Sequence, residues 1–402
     1  AILPENRQTP VQEENVIKEP LEYDSELHMM RVAAKETTLD IVKAIISKTG
    51  DNENMIISPL TLYWSMSMIA NGVTGEAQNE LLSFLHILDK ENGDINTINN
   101  SNGRFLDNLP YLDPQVTLKL ANSIWVDKEF GIRPEFLSLM DGFYKAQTFR
   151  HDFSNEDVRT LINSWVSENT ENLIPRLLTE HVDGPMTIIN TMYFNAPWHI
   201  PFDPRNTTKE NFTCSDGSVT AVDMMHHETM EAGLLKYPDV LLLNLRFGMG
   251  HYTMTFALPD PGVDLSSIIS SLDLTALEQL AVRDNIDDTE VYIPKFSIQD
   301  SYNLNEPLNS LGVNGIFSPS TWNGLTDSKQ NLYIAKLVHS ATFSINEQGG
   351  EAAGSVGSQW SSGFGHVDPF EERIFRADRP FLFYITDNNW GLPIMIGCIN
   401  KL

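Results

Sequence analysis

Apolar residues first recur at helical spacing from Leu27 to Ile46, through Met30, Val32, Leu39, Val42 and Ile45. This predicts an amphipathic helix, stopped by Lys48-Thr49-Gly50. A short apolar strand, Met55 to Ile57, then meets Ser58-Pro59, where a proline in the first helical turn lacks only a donor that would go unpaired anyway. The helix it opens runs to about Ala70, breaks at Gly72-Val73-Thr74-Gly75, and is followed by another from Glu76 to Leu85. Asn92 to Asn102 is rich in Asn, Asp and Gly and reads as a loop. Leu118 to Val126 reads as a strand, Val158 to Leu178 as a helix limited by Pro175, and Thr187 to Phe194 as a strand buried on both faces.

From Val219 the pattern turns to strands: VTAVDMM, VLLLNLRF and HYTMTFALP, with turns at Tyr237-Pro238-Asp239 and Gly248-Met249-Gly250. Leu265 to Leu280 returns to helix, and Glu290 to Ile298 alternates around Pro294, as an edge strand or a bulge does. Leu332 to Ile345 leads into a segment, Asn346 to Ile385, that opens on glycines and small residues and closes on the apolar strand Phe381 to Ile385. So long a stretch without periodicity is uncommon inside a domain and is usually functional. The elements are mixed, an early helical half and a later strand-rich half, which gives an α+β class. Residues 1–25 are acidic and lack apolar periodicity, so they read as a flexible tail.

Composition narrows the function. Hydrophobic content of 41% and charged content of 20% belong to an ordinary globular chain. A formal net charge of -27 excludes nucleic acid and anionic membrane as natural partners, since both need clustered Lys and Arg, and it favours basic ones. No apolar run approaches the roughly 20 residues of a membrane span, and the first residues lack the basic start and apolar block of a signal peptide, as a mature secreted form would. Two cysteines, Cys214 and Cys398, make no disulfide framework and are expected as unpaired structural thiols. Asn99, Asn206 and Asn211 begin Asn-x-Ser/Thr triplets and are candidate glycan acceptors, which leans toward secretion.

Catalytic constellations are missing from the sequence. It holds no GxSxG, no HExxH and no phosphate loop, and Gly349-Gly350 with Gly354 has the wrong spacing for the last. His226-His227 and His251 have no acidic or Cys partner at ligand spacing, so no metal and no cofactor is expected. Glu13-Glu14 and Glu371-Glu372 read as solvated faces. The chain is not expected to be an enzyme.

Several stretches stand in a familiar order: Asn54-Met-Ile-Ile-Ser58-Pro59, Ile189-Asn190-Thr-Met-Tyr-Phe194 with Trp198 and Pro201-Phe202-Asp203, Val291-Tyr-Ile-Pro294-Lys295-Phe296, His339 followed by Glu347-Gln-Gly349-Gly-Glu351-Ala352-Ala353, and Phe375-Arg-Ala-Asp-Arg-Pro380-Phe381. Together they resemble the serpin family over Leu27 to the C-terminus. The resemblance implies one domain, residues 26–402, with three β-sheets, surrounding helices and an exposed reactive loop at about 347–374. It implies a monomeric suicide-substrate inhibitor, secreted and extracellular, whose partner is a serine protease, with a cysteine protease as second choice. The protease cuts the loop, and the cut loop enters the main sheet as a new strand and releases stored strain. Such a native state persists kinetically. Heparin is not a predicted partner, because Asn92 to Asn102 and its flanks lack basic clusters.

Position by position, the resemblance places Ser58, Asn190 and His339 in a polar cluster under the parting strands, a shutter, and Trp198 at the loop's point of insertion, the breach. Glu347, Gly349, Gly350, Glu351, Ala352 and Ala353 become the hinge. As a strand of period two, the loop would present Gly350, Ala352, Gly354, Val356, Ser358 and Trp360 on one face, small until Trp360, while Glu351 carries the only charge on the other. Gly349, Gly350, Gly354 and Gly357 oppose this, at about 0.5 to 1 kcal/mol each relative to Ala. They motivate an alternative, a non-inhibitory serpin with a binding, carrier or structural role. Family spacing from Glu347 puts the reactive bond at Gly363-Phe364, with Phe364-Gly365 as the neighbouring choice; Phe364 suits a chymotrypsin-like pocket.

Overall fold

The computed structural model describes residues 24–49, 52–155, 157–273, 276, 286–319, 322–328, 331–350 and 372–402. Helix α1 (Ser25–Thr49) buries Leu27, Met30, Val42 and Ile45 of the predicted stripe. Strand β1 (Met55–Ile57) leads through Ser58 into α2 (Pro59–Gly72), which is buried along nearly its whole length, and then into α3 (Glu76–Phe84).

The stretch read as an Asn-rich loop is instead a helix, α4 (Ile95–Asn108). Asp94 caps it by accepting from the Thr97 amide at 2.8 Å, and Ile98, Phe105 and Leu106 are buried. Polar composition misleads there because the amides are satisfied inside the fold. Asn99 and Asn71 exchange hydrogen bonds of 2.8 and 2.9 Å, and Asn102 accepts from the Trp64 indole at 3.0 Å. Asn99 is only 3% exposed, so it is no surface acceptor for a glycan, whereas Asn206 and Asn211 are exposed.

Next come β2 (Thr117–Asp127), α5 (Pro134–Leu139), β3 (Gln147–His151), α6 (Asp157–Asn169) and β4 (Met186–Asn195). Helix α6 stops short of the predicted Leu178, since Glu171 and Asn172 take left-handed backbone at φ 50° and 64°. The strand-rich half holds β5 (Thr208–Thr213), β6 (Val219–Tyr237), β7 (Val240–Phe247), β8 (Tyr252–Pro259), α7 (Leu265–Ser271), β9 (Ile286–Pro294), β10 (Phe296–Asn303), α8 (Asn305–Ser310), β11 (Lys336–Ile345), β12 (Ile374–Arg376), β13 (Phe381–Asp387) and β14 (Pro393–Ile399). The predicted helix beyond Ser271 falls largely outside the described residues, as does the tail up to residue 23.

Among the described residues the strands form two hydrogen-bonded sheets, not three. One has nine strands in the order β1-β14-β13-β8-β7-β6-β9-β12 with β5 on β6; the other runs β10-β11-β4-β2-β3. The 19-residue β6 explains the count. It pairs with β5 at its start and β7 at its end, with β9 across a register shift between His227 and Met230, and so fuses what would be two sheets into one. The predicted single strand Glu290–Ile298 is likewise two strands in different sheets. Pro294 closes β9, Lys295 crosses over, and β10 starts at Phe296.

One hydrophobic core runs between the two sheets and the helices α1 to α4, and a smaller one, with Trp125, Ile162, Trp165, Ile189 and Val338, lies between α6 and the five-stranded sheet. Cys214 and Cys398 are buried and unbonded, and burial pushes the Cys398 thiol up to about 12. No described helix is long and apolar enough to cross a membrane.

Candidate functional site

The candidate site is the seam between β4 and β11. These strands are parallel neighbours, with His339 in register with Asn190. Their side chains are buried almost throughout, yet many are polar: Thr187, Asn190, Thr191, His339 and Ser340 are all fully buried.

Under the seam the predicted cluster comes together. Ser58 caps α2, its hydroxyl accepting from the Thr61 amide at 3.4 Å, and its own amide donates to His339 Nε2 at 3.0 Å. An imidazole accepting at Nε2 is neutral, and burial depresses its pKa to about 3. Asn190 donates to Ser65 Oγ at 2.9 Å. Asn190 Oδ1 and His339 Nδ1 have no protein partner among the described residues, so the seam is held by fewer hydrogen bonds than its groups can make.

At the seam's open end, the chain leaving β11 turns back on itself. Asn346 and Gly349 exchange backbone hydrogen bonds of 2.8 and 3.1 Å. Gly349 also bridges Pro197, just past β4, and both bridges are antiparallel. The Gly350 amide then donates to Ala196 O at 2.7 Å. Gly349 has φ +122°, and a Cβ there would lie 2.3 Å from Ala196 O and 2.5 Å from Trp198 N, so only glycine fits.

Trp198 holds this turn from β4's side. Its indole donates to Asn346 O and its amide to Gln348 O, both at 2.9 Å, while its ring stacks on Phe247 at 4.5 Å. Glu347 is fixed by Thr207 Oγ1 at 2.8 Å, by Lys295 Nζ at 3.1 Å, and through its carbonyl by the Phe202 amide at 2.8 Å. Burial pushes the Glu347 carboxyl up, but the hydrogen bonds from Thr207 and Lys295 outweigh it and hold the pKa below the usual carboxylate range.

The far end of the predicted loop is anchored on the other sheet. Residues 374–376 add β12 to the edge of β9, and one row crosses three strands: His226 is in register with Tyr292, and Tyr292 with Arg376. The His226 ring stacks on Tyr292 at 4.2 Å, and the Arg376 guanidinium lies 3.4 Å from the Tyr292 ring centre. Glu290 accepts from Tyr292 at 2.6 Å and lies 3.1 Å from His226 Nε2, and Arg376 also pairs with Glu210.

A family model described as Serpin (serine protease inhibitor) matches residues 32–402. The chain belongs to the serpin family. Ovalbumin-related protein Y of Gallus gallus is 30% identical over 363 residues, which cover 86% of this chain and 92% of that protein. Leukocyte elastase inhibitor of Bos taurus is 31% identical over 369 residues, covering 87% and 93%. The thermophilic serpin tengpin in its native state superposes with a TM-score of 0.81 at 27% identity, covering 95% of each chain.

In this serpin the described part of the predicted site is brought together at two stations along one seam, Ser58, Asn190 and His339 beneath it and Trp198, Glu347, Gly349 and Gly350 at its open end. Glu351, Ala352 and Ala353 of the predicted hinge, and the reactive-bond candidates Gly363, Phe364 and Gly365, lie outside the described residues. Sequence reading missed Lys295 and Thr207 as the partners of Glu347, although Lys295 stood inside one of the family stretches. It also weighed His226 only as a metal ligand, and cross-strand register alone shows it stacked behind the loop's far anchor.

Proposed function

We propose that this serpin is a suicide-substrate inhibitor of a serine protease, with a cysteine protease as second choice, and that its cut loop inserts between β4 and β11. The observation that carries this reading is Gly349, which makes antiparallel bridges to Pro197, just past the end of β4, and to Asn346, just past the end of β11. A segment continuing from Gly350 down the seam would pair with β4 on one side and β11 on the other, and it would reach the level of Asn190 Oδ1 and His339 Nδ1, which have no partner among the described residues. Residues 26–402 act in this reading as one domain with a reactive loop at about 347–374, Ser58, Asn190 and His339 form the shutter, and Trp198 forms the breach. The name of the bovine relative, an elastase inhibitor, supports an inhibitory role. The reactive bond is Gly363-Phe364 or Phe364-Gly365, which directs the loop to a chymotrypsin-like pocket. Secretion is supported by the exposure of two glycan acceptors, Asn206 and Asn211.

Incubation with chymotrypsin-like proteases should give a covalent serpin–protease adduct stable in denaturing gels, and mass spectrometry of the released peptide should locate the bond. Clean cleavage of the loop by every protease tried, without adduct, would defeat the inhibitory reading. It would favour instead a non-inhibitory binding, carrier or structural serpin, for which the glycine at position 350 is the specific observation.

A further inference from the structure

We propose that Asn195, the last residue of β4, is a positioning residue that sets how fast the loop enters the seam, by closing over the α-carbon of Gly350. The inference rests on the inhibitory reading and concerns the loop's entry into the seam. Gly350 is already hydrogen-bonded to Ala196 O, and its neighbour Gly349 bridges Pro197 and Asn346 just past the ends of β4 and β11, so the chain stands at the first rung outside the seam before any cleavage. The space around that rung is tight. A Cβ on Gly350 would lie 2.9 Å from Asn195 Oδ1, 3.0 Å from Ala196 N and 3.3 Å from Asn195 Cα. The nearest of these atoms belongs to a side chain that does not swing freely, because Asn195 Nδ2 donates to the Tyr193 hydroxyl at 3.0 Å, one side chain back on the same face of β4.

Two physical effects of a methyl group at position 350 therefore oppose each other. Replacing glycine by alanine in an extended segment removes unfolded freedom and favours the strand, which by itself would speed insertion. Overfilling a closed contact forces neighbours apart and slows it. The space available decides for the second effect, since a Cβ there would stand 2.9 Å from Asn195 Oδ1 and 3.0 Å from the Ala196 backbone nitrogen, closer than carbon rests against oxygen or nitrogen. Gly350 in this chain is thus a fit to Asn195 and not a loss of insertion drive.

A double-mutant cycle tests this, using Gly350→Ala, Asn195→Ala and the pair in the full-length protein. The rate is read as the number of serpin molecules consumed per protease trapped, which rises when insertion loses its race with hydrolysis. The end state is read as the unfolding temperature after the loop is nicked. Gly350→Ala alone should slow insertion by about tenfold, and in the Asn195→Ala background by clearly less, about threefold, because the contact with the Ala196 amide remains. Tyr193→Phe, which frees the Asn195 amide while leaving the strand apolar, should give an intermediate value and guards against misfolding of the first pair. Acceleration by Gly350→Ala, or equal slowing with and without Asn195, would overturn the role of Asn195 while nicking still raises the unfolding temperature. No rise on nicking the unaltered protein would overturn the inhibitory reading and this inference together.

Discussion

Two parts of this molecule are both dry and differ in the polar side chains at their centres. In the nine-stranded sheet, β8, β13 and β14 are buried at every position, and the centre of β13 is Phe381, Leu382, Phe383, Tyr384 and Ile385. In the five-stranded sheet, β4 and β11 are nearly as buried but carry Thr187, Asn190, Thr191, His339 and Ser340. Apolar packing is proportional to area and cannot be exchanged for anything better, so the first region is a fixed frame. A buried polar group with an unmet hydrogen bond holds its neighbours less firmly and gains when a new partner arrives. The frame is expected to keep its shape, and the seam is the part that the proposed inhibitory function requires to open.

The largest expected effect lies in the frame. Phe383 packs its ring 5.6 Å from those of Phe296 and Phe343, and Phe383→Ala should destabilise the native protein by about 3 to 5 kcal/mol in chemical unfolding. A loss below about 1 kcal/mol would show that the frame repacks and that the contrast is overdrawn.

Next comes the seam itself. His339→Leu leaves the Ser58 amide buried without an acceptor and should lower native stability by about 1 to 3 kcal/mol, while leaving the nicked, inserted form less affected. His339 also gives the seam its own pH dependence. Its pKa falls from the ordinary 6.5 to about 3 on folding because burial excludes the charged ring. The unfolded chain therefore takes up a proton first, and stability present above 6.5 should be lost as pH falls from there toward about 3, a dependence His339→Leu removes.

A histidine outside the seam should show the reverse sign. His86 pairs with Asp40 at 2.8 Å, and that hydrogen bond raises its pKa on folding against partial burial. Its contribution is full below the unfolded value and is lost as pH rises through the folded one, so Asp40→Asn should flatten the alkaline side of the stability profile and leave the acidic side unchanged. The smallest effect belongs to the hinge clamp. Lys295→Ala should lower native stability by no more than about 1 kcal/mol, since the lysine is 37% exposed, and high salt should mimic it.

Much of this contrast was legible in the sequence and some was not. The frame strands announced themselves as apolar runs such as VLLLNLRF and FLFYI, and Ser58-Pro59 marked the start of α2. Ser58, Asn190 and His339 were picked out through a family resemblance, and their meeting depends on a parallel pairing that no local pattern encodes. The Asn-rich helix α4 was lost because burial of Asn99 and Asn102 depends on Asn71 and Trp64, distant partners that composition cannot reveal. Pro294 was seen as an irregularity, and only the topology shows that it separates two sheets. Gly349 and Gly350 read as a weakness of the hinge. The surroundings of Gly349 add a residue whose missing side chain is what the turn requires.

The most direct test of the seam as an opening device is the unfolding temperature of the protein before and after its loop is nicked between residues 351 and 371. Insertion of a strand between β4 and β11 would replace their direct parallel ladder by two antiparallel ones and should raise that temperature by well over about 10 °C, several kcal/mol for a chain of this size. An unchanged temperature, with the nick verified by mass, would contradict the account.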